Sequence, residues 1–374
     1  MGYNTPKRYA KWGRVEISEL TRKPANIKDV AKHAGVSIST VSNVVNNTKR
    51  VSPKLTKMVQ DSIQLLSYQA NSTGRRLKTG KSQELVVIVP TPTSIFMPNL
   101  LKSIQNAAEA KGYYVSIFSS KGKLEREWNI IKRLHTQGIS GIFLSSCADV
   151  DLTESQKYVE YLNSISSGHN PTHVICLEAA ISNQLDAVVF NDAEGIAMTV
   201  SHLLGRGCKY FAHIATPLQY SMGKNRRRGF MSELLLNGCQ VEEKLIVESD
   251  SYTCQSGYDA MKKLMETGLP IDAVVSGNDQ IAIGAINYLK QQNIRIPQDI
   301  AVTGFNDNSP ASLIMPSLTT IHVPKEEMGK CAFEQLNRRI NGDKSGRLLI
   351  QLDGELIVRN STDPDAITFW DMDW

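Results

Sequence analysis

Between Ile38 and Asn43 a short helical repeat turns Ile38, Ser39, Thr40, Ser42 and Asn43 outward, while Val41, Val44 and Val45 face the other way. Hydroxyls, a carboxamide and a branched apolar tip on one helix face, with no acid among them, suit entry into a DNA groove. Base edges there are read by hydrogen bonds and methyl contacts, and phosphates line the walls.

Such a helix needs a partner to hold it. Ile27 to Ala34 places Val30, Ala31 and Ala34 at helical spacing, and Ala31 is small enough for a second helix to approach closely. Gly35 can end that helix in a left-handed conformation, and Ser37 is a good N-cap for the next. Residues 26–47 therefore read as a helix-turn-helix. A third helix follows, with Ser52 as cap, Pro53 in the first position and Val59, Ile63 and Leu66 along one side. The competing reading is an ordinary helical hairpin inside a globular domain.

Charge separates the two. Residues 1–82 carry 16 Lys and Arg against 4 Asp and Glu, a net of +12, so the other 292 residues hold −7 of the overall +5. A basic head on a mildly acidic body supplies the sequence-independent attraction to phosphate that nucleic-acid binding requires. Residues 1–25, with 6 basic and 2 acidic side chains, read as a basic extension that adds to this attraction.

With 374 residues, 41% of them apolar and 21% charged, the chain has room for a small domain and a large one of ordinary soluble composition. No apolar run approaches the roughly 20 residues that span a bilayer, and residues 1–25 lack the apolar stretch of an export signal. The expectation is a cytoplasmic protein with no membrane partner. Six cysteines (Cys147, Cys176, Cys208, Cys239, Cys254, Cys331) lie far apart without metal or redox spacing, and the seven histidines are equally scattered. No metal site and no cofactor are expected, and His33 reads as a surface or phosphate-facing residue.

From Asn71 to Lys81 the chain is basic, poor in apolar residues and punctuated by glycine, which makes it a hinge or linker. Gly80, Lys81 and Ser82 look like the end of a phosphate-binding loop, but Gly74 stands one position too far upstream and the segment follows a helix. Leu77, flanked by Arg75, Arg76 and Lys78, suits a short helix against the minor groove, with the basic side chains on phosphates and Leu77 between base pairs. The alternative is a tether whose leucine packs on the body.

After residue 84, apolar runs alternate with amphipathic helices. Leu85–Val89, Val115–Phe118, Gly141–Leu144, Val174–Leu177, Tyr210–Ile214, Ala273–Val275 and Ile300–Thr303 are the strand candidates. This alternation predicts doubly wound α/β layers with parallel sheets, where ligands bind beyond the carboxyl ends of strands. Asn278 and Asn306 each follow such a strand, Phe96 follows the first, and Arg226 opens a helix candidate. These are pocket positions for a small polar ligand. Equally, the asparagines could cap helices, and Arg226 to Arg228 could be a solvated run.

These residues together resemble the LacI/GalR family of transcriptional regulators, over Asn26 to Arg359. The motifs are NIKDVAKHAGVSISTVSNVVN in the head, LVVIVPTPTSIFMPNLLKSIQNAAEAKGY in one lobe, VVSGNDQIAIGA and IPQDIAVTGFND in the other, and PSLTTIHVP at the return crossing. The resemblance implies a small all-α head, a hinge, and a two-lobed periplasmic-binding-protein-like body with an effector cleft between the lobes. The expected boundaries are 26–70 for the head, 71–82 for the hinge, 83–187 with 322–350 for the first lobe, and 188–321 with 351–374 for the second.

It further implies a homodimer on double-stranded, pseudo-palindromic operator DNA. Ile38, Ser39 and Asn43 would face bases, and Thr40, Ser42 and Asn46 phosphates. Asn71, Arg75, Leu77 and Lys78 would act from the hinge, with Leu77 as the wedge. Arginine is commoner in the family where Asn43 stands, which points to an atypical operator. Phe96, Arg226, Tyr252, Asn278 and Asn306 match effector-contacting positions. Many relatives carry Asp at position 306, so Asn306 is expected to leave Arg226 without one carboxylate neighbour, favouring a sugar acid or sugar phosphate. Effector and operator would be linked reciprocally, with repression the commoner outcome and activation the alternative.

Two rival classes remain. An enzyme would need a nucleophile elbow, metal set or intact phosphate loop, none of which the sequence supplies. A solute-binding receptor would share the body but not the head. Residues after 360 are too short for a tetramer-forming leucine heptad, and Trp370 and Trp374 have no assigned role.

Overall fold

A computed structural model describes residues 25–46, 49–68, 82–92 and 94–367, and of Asn46 only the backbone. The hinge candidates Asn71, Arg75, Leu77 and Lys78, the arm before residue 25 and the two tail tryptophans lie outside the described residues. The chain divides into two compact units, Met1–Gly80 and Lys81–Trp374.

In the head, helices run over Ile27–Ala34, Ile38–Asn46 and Pro53–Leu65. Asn26 caps the first through a reciprocal pair with Asp29, a signal the sequence reading passed over. Gly35 ends it at φ 64°, the left-handed region that favours glycine. Ser37 Oγ accepts the Thr40 N–H at 3.1 Å to start the second helix, and Ser52 accepts from Leu55 to start the third. Val30, Ala31, Ala34, Val41 and Val59 form the buried centre.

In the body, β1 (Glu84–Val89), β2 (Tyr114–Ser119), β3 (Gly141–Leu144), β4 (His173–Glu178), β5 (Asp186–Phe190) and β11 (Leu349–Leu352) form a parallel sheet in the order β11-β5-β4-β3-β1-β2. A second parallel sheet has the order β7-β6-β8-β9, from Phe211–Ala215 (β6), Ile246–Glu248 (β7), Ala273–Ser276 (β8) and Ala301–Thr303 (β9). Thr320–His322 (β10) and Glu355–Ile357 (β12) make a short antiparallel pair. Helices cover both sheets, so central runs such as Leu85–Val89 are buried along their whole length.

The expected lobe boundaries at 187/188 and 350/351 fall inside one ladder. Leu349 pairs with Ala187 and Leu352 with Phe190, so both strands belong wholly to the first sheet. The chain passes between the lobes a few residues later. Asp186 anchors this edge: its buried carboxylate accepts from Arg339 Nε (2.6 Å) and Nη2 (2.8 Å), Gln335 Nε2 (2.8 Å) and the Leu348 N–H (2.8 Å). Burial pushes its pKa up, but the Arg339 and Gln335 donors outweigh that and hold it below the ordinary carboxylate range.

Glycine sets the spacing of helices Cys254–Glu266 and Asp279–Gln291. A Cβ on Gly284 would stand 1.9 Å from the Cys254 carbonyl oxygen, and one on Gly257 2.1 Å from that of Ile281. Backbone cannot yield as a side-chain tip can. Gly284→Ala is therefore expected to cost roughly 1–3 kcal/mol or more, read as a lower midpoint in denaturant. An unchanged midpoint would show that the helices can separate freely.

Candidate functional site

On the second head helix, Ile38 is 46% exposed and Ser39 is open to solvent, while Thr40 and Asn43 are half-buried. Ser37 Oγ lies 2.7 Å from Ser39 Oγ and 2.9 Å from Thr40 Oγ1, so three hydroxyls cluster at the start of this helix. Ser42 departs from expectation. It is buried, because one residue advances about 100° round the helix and leaves Ser42 beside Val41 at the edge of the apolar stripe. It is poorly placed for a phosphate. His33 also has an internal contact, Nδ1 to Ser62 Oγ at 3.0 Å, joining the first and third helices.

In the body, all five cleft candidates line one cavity of about 520 Å³. Its walls come from loops at the carboxyl ends of strands: Pro90 and Thr91 after β1, Ser145 and Ser146 after β3, Glu178 at the end of β4, Tyr220 after β6, Tyr252 after β7, Asn278 after β8 and Asn306 after β9. This is the position that parallel α/β folds leave open for ligands.

Arg226 is held rather than free. Its Nε donates to Asp192 Oδ1 at 2.8 Å, its Nη1 to the Gly277 carbonyl at 2.5 Å, and its guanidinium lies over the Phe305 ring, 3.8 Å from the centroid. Nη2 makes no hydrogen bond to the described residues. Position 306 gives Arg226 no carboxylate, as its Asn implies, but Asp192, at the start of helix Asp192–Gly205, supplies one from elsewhere. Burial raises the Asp192 pKa, and the Arg226 charge opposes it.

A second carboxylate, Glu178, faces the same cavity. Its backbone is left-handed, at φ 65°, and Ser145 Oγ donates to its Oε2. Burial pushes its pKa up more than the Ser145 hydroxyl and Arg226 bring it down; Asp192 adds to the rise. Sequence reasoning missed Glu178, although its place at a strand's carboxyl end was a usable signal.

Asn278 spends both polar atoms on the protein. Oδ1 accepts the Ile281 N–H at 2.8 Å as a helix cap, and Nδ2 donates to the Tyr252 carbonyl at 3.3 Å. It fixes the Tyr252 loop more than it offers groups to a ligand. Burial raises the Tyr252 phenol's pKa, and its ring lies 6.2 Å from that of Tyr220. The Asn306 carboxamide has no hydrogen-bond partner among the described residues and lines the cavity from a backbone at φ 109°. Lys325 holds that backbone: its Nζ donates to the carbonyls of Asn306 and Asp307 and lies 5.6 Å from the centre of the Phe96 ring. Among the described residues, no group of three or more His, Cys, Asp and Glu could hold a metal, and no helix is long and apolar enough to cross a membrane.

A helix-turn-helix unit joined to a two-lobed parallel α/β body with a cavity of aromatic, apolar and polar side chains at its strand ends defines a DNA-binding regulator that senses a small molecule. Residues 26–71 match the family model described as bacterial regulatory proteins, lacI family, and residues 200–362 match that of the periplasmic binding protein-like domain. The repressor PurR of Edwardsiella ictaluri is 30% identical over 337 residues, covering 90% of this chain and 96% of the relative; that of Photorhabdus laumondii is 28% identical over 339 residues, with the same coverage. The fold also matches the lac repressor dimer bound to operator and the anti-inducer ONPF, with TM-score 0.81 and 24% identity over 91% of this chain and 99% of that one. The regulator CelR in complex with cellobiose matches with TM-score 0.66 and 24% identity, over 90% and 99%. The chain belongs to the LacI/GalR family and is a DNA-binding transcriptional regulator, not an enzyme.

Proposed function

We propose that this protein represses transcription by binding a pseudo-palindromic operator as a homodimer, and that a neutral, polyhydroxylated small molecule, a carbohydrate, in the body's cavity sets its affinity. The observation that carries the ligand class is the charge balance around Arg226. Asp192 occupies its Nε, Glu178 and Asp250 offset Lys121 and Arg226 in the lining, and among the described residues of the lining no unbalanced cation is left to receive an acid. That favours a neutral sugar over the sugar acid or sugar phosphate that Asn306 alone suggested. Arg226 Nη2, the Asn306 carboxamide and the Glu178 carboxylate offer donors and acceptors to hydroxyls, while Phe96, Tyr220 and Tyr252 offer ring faces. Relatives of this fold have been solved with cellobiose and with D-xylulofuranose, which supports the same class.

In the head, Ile38, Ser39 and Asn43 are assigned to base edges and Thr40 and Asn46 to phosphates. Asn71, Arg75 and Lys78 are assigned to the backbone beside a wedging Leu77. Selection of bound sequences from random duplex DNA, with and without cellobiose and other neutral sugars, tests the whole scheme. Enrichment of a dyad-symmetric site whose recovery changes with a neutral sugar is expected. Recovery of unrelated sequences would overturn the operator assignment, and a response only to acidic or phosphorylated sugars would overturn the ligand class. Within the selected site, Asn43→Ala is expected to relax preference at one symmetry-related base pair by about 1–3 kcal/mol. Equal weakening on every sequence would instead assign Asn43 to phosphate.

A further inference from the structure

One ammonium joins the two lobes at the edge of the cleft. Lys224, on helix Ser221–Leu236 of the second lobe, places Nζ 3.1 Å from Asp149 Oδ1 and 2.5 Å from Asp151 Oδ2. Both carboxylates stand on the loop that follows β3 in the first lobe. Close by, the first-lobe turn at Gly122 approaches the second lobe, where a Cβ on Gly122 would lie 3.4 Å from Tyr220 Oη. We propose that Lys224, Asp149 and Asp151 form an electrostatic clasp that holds the cleft closed and makes closure sensitive to ionic strength.

The loop is built to transmit such a tie. Glu127, fully buried, accepts from Ser146 Oγ (2.6 Å), the Cys147 N–H (3.1 Å) and Tyr158 Oη (2.6 Å), which pins the loop's root to the first lobe. The Asp151 N–H bonds Asp149 Oδ1 at 3.2 Å, which orders the two acids beside each other. Ser145, Ser146 and Ala148 of this loop line the cavity, and Lys224 precedes the cavity residue Arg226 by two positions. Clasp and cavity wall therefore move as parts of the same two elements.

Two acids on one ammonium also make the arrangement switch-like. Without the lysine they repel each other, and a negative group in its place would repel both. The Lys224 side chain is 41% exposed and that of Asp151 70%, so dissolved salt reaches the pair. An ionic contact this open is weak alone, yet a balance between two lobe arrangements needs only a small bias.

The inference deepens the ligand-cavity reading, and its test uses no ligand, so an empty cavity and an idle clasp give different results. Nitroxides carried on unnatural amino acids at Lys157 and Gln240, exposed positions on opposite lobes, report lobe separation in full-length protein by pulsed electron resonance. Dimers diluted with unlabelled chain keep the distances within one protomer. In the unsubstituted protein the short-distance population should shrink as salt rises from about 0.01 M to about 1 M, over which the screening length falls from about 30 Å to about 3 Å. Lys224→Glu should give the long distance at every salt concentration. Combining it with Asp149→Lys and Asp151→Lys should restore the short one. A distribution that ignores both salt and Lys224→Glu overturns the clasp, and so does a charge-reversed triple variant that stays open.

Discussion

Arg226→Met is expected to lower the stability of the body by about 3–5 kcal/mol, the usual cost of removing one partner from a buried ion pair. The side chains of Arg226 and Asp192 are only 5% and 4% exposed, so water cannot replace the lost guanidinium. The Gly277 carbonyl loses its donor as well, and Phe305 its cationic neighbour. Burial already raises the Asp192 pKa against the pull of Arg226, and without Arg226 the pKa rises further. A carboxyl whose folded pKa lies above its unfolded value contributes stability at low pH and loses it as pH rises. The defect should therefore be smaller in acid than at neutral pH. Adding Asp192→Leu removes the stranded charge and should restore most of the stability, while sugar-dependent changes in operator affinity stay absent. Chemical denaturation of the single and double variants measures this. A loss below about 1 kcal/mol in the single variant would mean that the pair is screened like a surface one.

What could be read in advance followed the physics of each signal. Residues 26–47 show their helices plainly because propensity, cap, glycine stop and apolar spacing all agree, and the first helix falls on Ile27–Ala34 as its spacing predicts. Most central strands, though not the buried Asp186–Phe190, were legible as unbroken apolar runs. Ile246–Glu248 and Leu349–Leu352 were not, since both are short sheet-edge strands with partly exposed side chains. Ser42 shows the limit of counting along a helix, because whether a residue at the edge of the apolar stripe is covered depends on the packing around it. The cavity divides in the same way. Resemblance brought Phe96, Arg226, Tyr252, Asn278 and Asn306 to one cavity, but the partners that decide their chemistry come from far along the chain. Asp192 reaches Arg226 across 34 positions, and Ser145 reaches Glu178 across 33. Local spacing cannot show such pairs, so the charge state of the pocket became visible only with the fold.

Asp279 should make the body less stable as pH rises from about 4 to about 7. Its carboxyl is buried at the head of helix Asp279–Gln291, where Thr320 Oγ1 donates to Oδ1 at 2.5 Å and the Asn308 N–H to Oδ2 at 2.7 Å. Burial is the largest influence and pushes the pKa up from 3.8 to about 7; the two hydrogen bonds and Lys325 oppose it, and Asp307 reinforces it. The folded state therefore keeps a proton that the unfolded chain has released. Its contribution is complete below about pH 4, fades through the interval and is gone above about pH 7, with about 4 kcal/mol as the ceiling for a rise of this size. Other groups titrate in the same range, so the comparison that isolates Asp279 is with Asp279→Asn. The variant has nearly the same shape and no charge to form: its amide oxygen can accept the Asn308 N–H and its nitrogen can donate to Thr320 Oγ1, so any offset from the exchange does not vary with pH. The stability of the unsubstituted protein minus that of the variant should then fall by a few kcal/mol between about pH 4 and pH 7. A difference that stays constant across that interval would place the ionised carboxylate comfortably in the fold. Thr320 and Asn308 would then outweigh burial, and the loop from Gly304 to Asn308 that carries Asn306 to the cavity would be tied down by a charge at every pH.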